Sequence, residues 1–111
     1  MSRNLAATLR KGAPVFAALG DETRLRLIEK LSSGEALSIA QLTEGEPVTR
    51  QAITKHLDVL AEVGLVHDIR RGRERLWELE AAPLDDARHC LELVSARWDR
   101  ALARLKALVE E

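Results

Sequence analysis

Tyrosine is absent from this chain, and Phe16, Trp77 and Trp98 are its only aromatic residues, 3% of the sequence. The core cannot rest on stacked rings. It must come from Leu, Ile, Val and Ala, a mixture that leans towards helix. A single cysteine, Cys90, can form no internal disulfide, which fits a reducing cytoplasm. No apolar run approaches the ~20 residues of a membrane-spanning helix. The apolar stretch at 12–20 is short, contains Pro14 and runs straight into Asp21, so it reads as helix of the fold and not as the core of a signal peptide. Signatures of catalysis are missing too: GxSxG, P-loop and HExxH motifs do not occur, and the six glycines form no phosphate-cradling loop. An enzyme is therefore the weakest reading, and no cofactor is expected. Nor is there an excess of positive charge. The net charge is -1, which counts mildly against nucleic acid as a partner.

What the chain does have is an ordinary soluble balance, 46% hydrophobic and 32% charged over 111 residues, enough for a single domain with one core. Its charge is unevenly placed. Arg70, Arg71, Arg73 and Arg75 stand against only Glu74 within six positions. Arg3, Arg10 and Lys11 add cations near the N-terminus, while Asp85, Asp86, Glu110 and Glu111 collect elsewhere. A local patch can hold phosphate even when the total charge is close to zero.

The periodicity predicts mostly helix. Leu5 and Leu9, four apart, mark an amphipathic helix over 3–11, with Gly12 as its break and Pro14 opening a second short helix whose apolar face is Val15, Phe16 and Leu19. Gly20 ends that helix and Asp21 can cap the next, where Leu25, Ile28 and Leu31 recur at helical spacing. A brief strand is expected at Ala36-Leu37. Ser38 and Gln41 have the spacing of a capping box, which starts a short helix with Ile39 and Leu42 inward. Gly45-Glu46-Pro47 is turn chemistry. Thr49 can cap a longer helix, about 49–63, in which Ile53, Leu57 and Leu60 must face the core and Gly64 ends the run. Gly72 marks the turn of a hairpin over about 65–79, and Pro83 opens a last helix over about 84–110.

Helix, turn, helix and then a basic two-stranded ribbon is the layout of a winged helix-turn-helix, mainly α with a small β-hairpin. A helix fits the major groove of duplex DNA, and a basic ribbon reaches phosphates beside it. The residues expected to meet DNA sit at the N-terminal end of the 49–63 helix, because that end enters the groove. Thr49 opens it, Arg50 suits guanine, Gln51 adenine, Thr54 a thymine methyl or phosphate, and Lys55 a phosphate. Taken alone, such a face is no more than a solvated helix surface; its place between a capped short helix and a basic hairpin favours DNA. In the hairpin, Arg71 and Arg73 flank the turn, with Arg75 and Arg70 further from it; a charged edge hairpin kept soluble is the plainer alternative. Leu84, Ala87, Leu91, Val94, Trp98, Ala101, Leu105 and Leu108 form a stripe along the last helix. A helix of roughly 27 residues is about 40 Å long, more than a domain this small can cover by itself. We therefore expect Leu5, Leu9, Leu91, Val94, Trp98, Ala101, Leu105 and Leu108 to meet a second copy, since dimers suit DNA readers of half-sites.

Three segments carry a family resemblance: 16–31 (FAALGDETRLRLIEKL), 49–66 (TRQAITKHLDVLAEVGLV) and 70–79 (RRGRERLWEL). In these the chain resembles the ArsR/SmtB family of dimeric bacterial winged-helix repressors, with KHLDVLAEVGLV the most specific block. The resemblance implies four helices, two strands and a final helix, both terminal helices lying at the dimer interface, and 49–63 as the recognition helix. It does not extend to metal ligands. Where metal sensors of the family carry a cysteine pair, this chain has Ser38 to Leu42, and Asp86 and His89 lack the spacing of the zinc sensors' last helix. No CxC, CxxC or HxxxH occurs, so no metal is expected. The ending ARWDRALARLKALVEE is similar to the metal-independent branch. The expected function is a cytoplasmic homodimer that binds a pseudo-palindromic operator in double-stranded DNA, with no membrane partner and an inducer the sequence does not name. The alternatives are a metal- or redox-responsive sensor of the same fold and a winged helix that contacts protein without DNA.

Overall fold

The computed structural model describes residues 2–110, with the side chains of residues 2–4, and so that of Arg3, outside the described set. The chain runs α1 (Ser2–Leu19), α2 (Glu22–Leu31), β1 (Leu37–Ser38), α3 (Ile39–Thr43), α4 (Arg50–Glu62), β2 (Val66–Arg71), β3 (Glu74–Leu79) and α5 (Ala82–Glu110). This is mainly helix with a three-stranded antiparallel sheet in the order β1-β3-β2.

Local chemistry sets most of the boundaries. Asp21 caps α2 by accepting from the Arg24 N–H at 3.1 Å. Both bonds of the capping box form at α3: the Gln41 N–H donates to Ser38 Oγ at 3.2 Å and the Ser38 N–H to Gln41 Oε1 at 2.9 Å. The Leu65 N–H donates back to the Leu60 carbonyl at 3.0 Å, which closes α4 and turns the chain into β2. In the hairpin Arg71 lies opposite Glu74, leaving Gly72-Arg73 as a two-residue loop. Gly72 takes φ +62°, a left-handed conformation that a tight hairpin needs and a side chain resists.

Two expectations fail at the N-terminal end. The break at Gly12 does not occur; α1 passes through Gly12 and Pro14 as one helix. A Cβ on Gly12 would stand 3.1 Å from Cys90 Cβ. The glycine therefore lets α1 lie close against α5, and that packing, with Val15 and Ala18 buried, outweighs the backbone bond lost at Pro14. In α2 the buried set is Leu27, Ile28 and Leu31, while Leu25 is exposed. A three-residue repeat could not separate these two neighbouring faces.

The core gathers Leu27, Leu31, Leu42, Ile53, Leu57, Leu60 and Leu65, all fully buried, around Trp77. Both Leu76 and Trp77 are buried, although neighbours on a strand face opposite ways. β3 is the central strand, so Leu76 is flanked by Ser38 of β1 and Ile69 of β2 while Trp77 enters the core. The shape is long. The Cα radius of gyration is 18.3 Å and the extents are 68 × 30 × 21 Å, against roughly 13 Å for the radius of a compact domain of this length. The 29-residue α5 accounts for the excess.

Candidate nucleic-acid interface

The helix pair is held by a charge cluster. Glu46, in the turn between α3 and α4, has a side chain only 3% exposed and accepts from Arg26 Nε at 2.9 Å and Lys30 Nζ at 3.1 Å. Lys30 Nζ also donates to the carbonyls of Leu42 at 2.9 Å and Glu44 at 2.8 Å, groups that the end of α3 leaves without helical partners. Burial pushes the Glu46 carboxyl up, but the hydrogen bonds from Arg26 and Lys30 outweigh it and hold the group below the usual glutamate value. The bond to Glu46 in turn raises Arg26. The turn is thereby pinned to α2, which fixes how α4 leaves it.

Thr49 caps α4: its Oγ1 accepts from the Ala52 N–H at 3.1 Å. Arg50, Gln51 and Lys55 are exposed, while Ile53, Leu57 and Leu60, on the other face, are fully buried. Thr54 is half-buried and its hydroxyl donates to the Arg50 carbonyl at 3.0 Å, which leaves its methyl as the group available for contact. No acidic residue lies in the first turn of α4, so its free N–H groups and Arg50 present one sign of charge, a setting that favours phosphate.

A second tie joins α4 to the start of α2. Arg24 Nη1 donates to His56 Nδ1 at 3.1 Å, so that nitrogen acts as an acceptor, and Arg24 Nε donates to the Ala18 carbonyl. Asp21, 4.0 Å from the same His56 nitrogen, is held below the usual aspartate value, chiefly by the backbone hydrogen bond at Arg24. Sequence reasoning missed this link. Its partners are 32 positions apart, and nothing local marks them.

The four hairpin arginines do not act alike. Arg75 donates to Asp68 at 2.8 Å and lies over the Trp77 ring, 4.6 Å from its centroid. Asp68 is held below its usual value, first by that bond. Arg70 pairs across the ladder with Arg75 and shares its face, whereas Arg71 stands opposite Glu74 on the other face. Arg73 occupies the tip beside Gly72 and is exposed. Arg75 thus braces the ribbon, and Arg71 and Arg73 are the cations nearest the tip. At the base His67 bridges β2 to Glu78 and Glu80, each 3.0 Å from one of its ring nitrogens. The carboxylates approach opposite sides of the ring and do not converge on one point.

At the other end of the molecule, Leu9, Leu91, Val94, Trp98, Leu105 and Leu108 are exposed, Trp98 by 64%, with Leu5 and Ala101 half-exposed. Leu102 and Val109 extend the same apolar surface. Arg10 is exposed, and Lys11 lies 4.0 Å from Asp86 of α5. Cys90 is buried against Gly12. Among the described residues no helix is long and apolar enough to cross a membrane.

A short capped helix, a pinned turn, a second helix with its polar N-terminal end outward and a basic ribbon define a winged helix-turn-helix of the DNA-binding type. A family model described as a helix-turn-helix domain matches residues 19–69. The HTH-type transcriptional regulator Rv2034 of Mycobacterium tuberculosis is 33% identical over 104 residues, covering 94% of each chain. The transcriptional repressor SdpR of Bacillus subtilis is 26% identical over 73 residues, 66% of this chain and 80% of that one. An ArsR-like transcriptional regulator from Rhodococcus sp. RHA1 superposes with a TM-score of 0.74 at 41% identity, covering 92% of this chain and 95% of the other. The chain belongs to the ArsR family of winged helix-turn-helix transcriptional regulators.

Proposed function

We propose that this regulator is a homodimeric, sequence-specific repressor that binds a pseudo-palindromic operator. The observation that carries the reading is the end of α4, where Arg50, Gln51 and Lys55 stand free in solvent directly after the Thr49 cap. Side chains of these types at a helix N-terminus can read base edges in the major groove. Thr49 and the Thr54 methyl border them. Arg71 and Arg73 at the ribbon tip supply phosphate contacts, with Arg75 setting the ribbon's shape.

Two copies clasped through Leu5, Leu9, Leu91, Val94, Trp98, Ala101, Leu105 and Leu108 would present two α4 ends to successive major grooves. The exposed stripe and the long shape support that pairing. Repression follows by occlusion of a promoter, and the resemblance to SdpR, itself named a repressor, supports that direction.

Fluorescence anisotropy on duplexes from the region upstream of its own coding sequence, at two salt concentrations, tests the proposal. One duplex should bind far more tightly than its scrambled counterpart, by ~10³-fold or more, and binding should weaken as salt rises. Equal affinity for every duplex would overturn the sequence-specific reading.

A further inference from the structure

We propose that the groove between α1 and α5 binds a small amphipathic organic anion, an aliphatic carboxylate. The assignment is independent of the DNA reading. The groove is a cavity of about 300 Å³ lined by Leu5 from α1 and, interleaved on one face of α5, by Leu93, Ala96, His89, Arg97 and Arg100. That volume lies at the small end of ligand sites.

Two arginines stand side by side here without an acidic partner. Elsewhere on α5, Arg88 has Asp85 at 3.3 Å and Lys106 has Glu110 at 3.9 Å. Positions three and four from Arg97 are Leu93, Val94, Arg100 and Ala101. Those from Arg100 are Ala96, Arg97, Ala103 and Arg104. No carboxylate stands where a helix would let it pair with either arginine, and each arginine's charged helical neighbour is another arginine, a repulsive arrangement; Asp85, Asp86 and Glu92 stand three or four positions from His89 alone. Among the described residues, no ion pair or hydrogen bond involves the side chain of His89, Arg97 or Arg100. An anion entering the groove would relieve that repulsion, and a guanidinium fork matches a carboxylate in shape as well as charge.

The wall selects the rest of the ligand. Its leucines and alanine would stay wetted by a bare phosphate, whereas an alkyl chain covers them. A second copy is a poorer occupant. At 3.6 residues per turn His89, Leu93, Ala96 and Arg100 lie roughly 150° around the helix from the centre of the Leu91, Val94, Trp98 and Leu105 stripe, while Arg97 borders that stripe beside Val94 and Ala101. A partner seated on that stripe reaches the groove only at its edge, at Leu5 and Arg97, and leaves His89, Leu93, Ala96 and Arg100 uncovered.

Calorimetric titration of the full chain, without DNA, tests the assignment with octanoate, with acetate (no tail), octanol (no charge) and octylamine (opposite charge) as comparators. Octanoate should bind saturably, one per chain, and acetate, octanol and octylamine should bind at least about tenfold more weakly. The double variant Arg97→Gln, Arg100→Gln should lose octanoate by at least about tenfold while keeping its helical circular dichroism and its dimerisation constant, since glutamine suits a helix surface. Three results would each overturn the assignment: no saturable octanoate binding, octanol binding as well as octanoate, or full octanoate binding by the double variant. A fourth would do so in favour of a second copy in the groove: octanoate binding that fades as protein concentration, and hence dimer, rises.

Discussion

Trp98→Ala tests the clasp on which two-site DNA binding depends. A tryptophan side chain can bury up to about 250 Å², and Trp98 is 64% exposed in the single chain. Covering that surface would remove about 160 Å² from water, worth at most ~4 kcal/mol per copy at about 25 cal/mol per Å². Truncation of a central interface tryptophan commonly costs ~2 kcal/mol or more. A two-fold dimer carries the substitution twice, so ~4 kcal/mol per dimer, or about a thousandfold in the dissociation constant, is the expected loss. Sedimentation equilibrium over a wide concentration range measures it directly. Intrinsic fluorescence gives a second view, because Trp77 is already buried and only Trp98 should shift to the blue as the wild-type chain associates. Leu25→Ala is the control: Leu25 is 51% exposed but lies on α2, and its loss should leave association unchanged. A Trp98→Ala dissociation constant within about threefold of the wild-type value would refute the reasoning, since the stripe would then have no part in pairing the chains.

At the DNA end, Arg50→Ala or Gln51→Ala should relax preference at one base position by ~1–3 kcal/mol in a competition assay, whereas uniform weakening on all duplexes would place those side chains on phosphates. Arg73→Ala should lower the slope of log K against log salt by about 1 with little change in preference, and an unchanged slope removes the ribbon tip from the interface. Glu46→Gln bears on acid stability. Because the folded-state value of Glu46 is lowered, its contribution is present above the ordinary glutamate value and is lost as pH falls through the lower folded value. The variant should therefore be less stable than wild type at neutral pH, with the difference shrinking in acid, as chemical denaturation at several pH values would record; a gap that stays constant into acid contradicts the clamp. Leu57→Ala, at a fully buried position, should cost ~2–5 kcal/mol in the same denaturation experiment, and a cost under about 1 kcal/mol would mean that α4 is not seated on the core.

Much of this molecule could be read from the chain alone because its signals are local. The Ser38–Gln41 capping box, the Thr49 cap, the Gly72 turn and the Ile53, Leu57, Leu60 repeat each depend on residues within a few positions of one another, and all four stand where they were expected. The polar end of α4 follows from the same periodicity. Four other features depended on contacts between distant segments. Gly12, a helix breaker in isolation, lies inside a continuous α1 because Cys90 packs against it. Leu27 replaces Leu25 in the core because α2 is rolled onto its neighbours by ties such as Arg24 to His56 and Arg26 to Glu46. Arg75 is held by Asp68 and Trp77 only once the two strands are paired in register. The groove between α1 and α5 exists only where two helices more than 60 positions apart run side by side. Caps, turns and helical faces are decided by short-range backbone bonding and side-chain spacing. Which charge meets which, and which of two adjacent faces turns inward, is decided by packing between elements, where burial and pairing across long separations outweigh local preference.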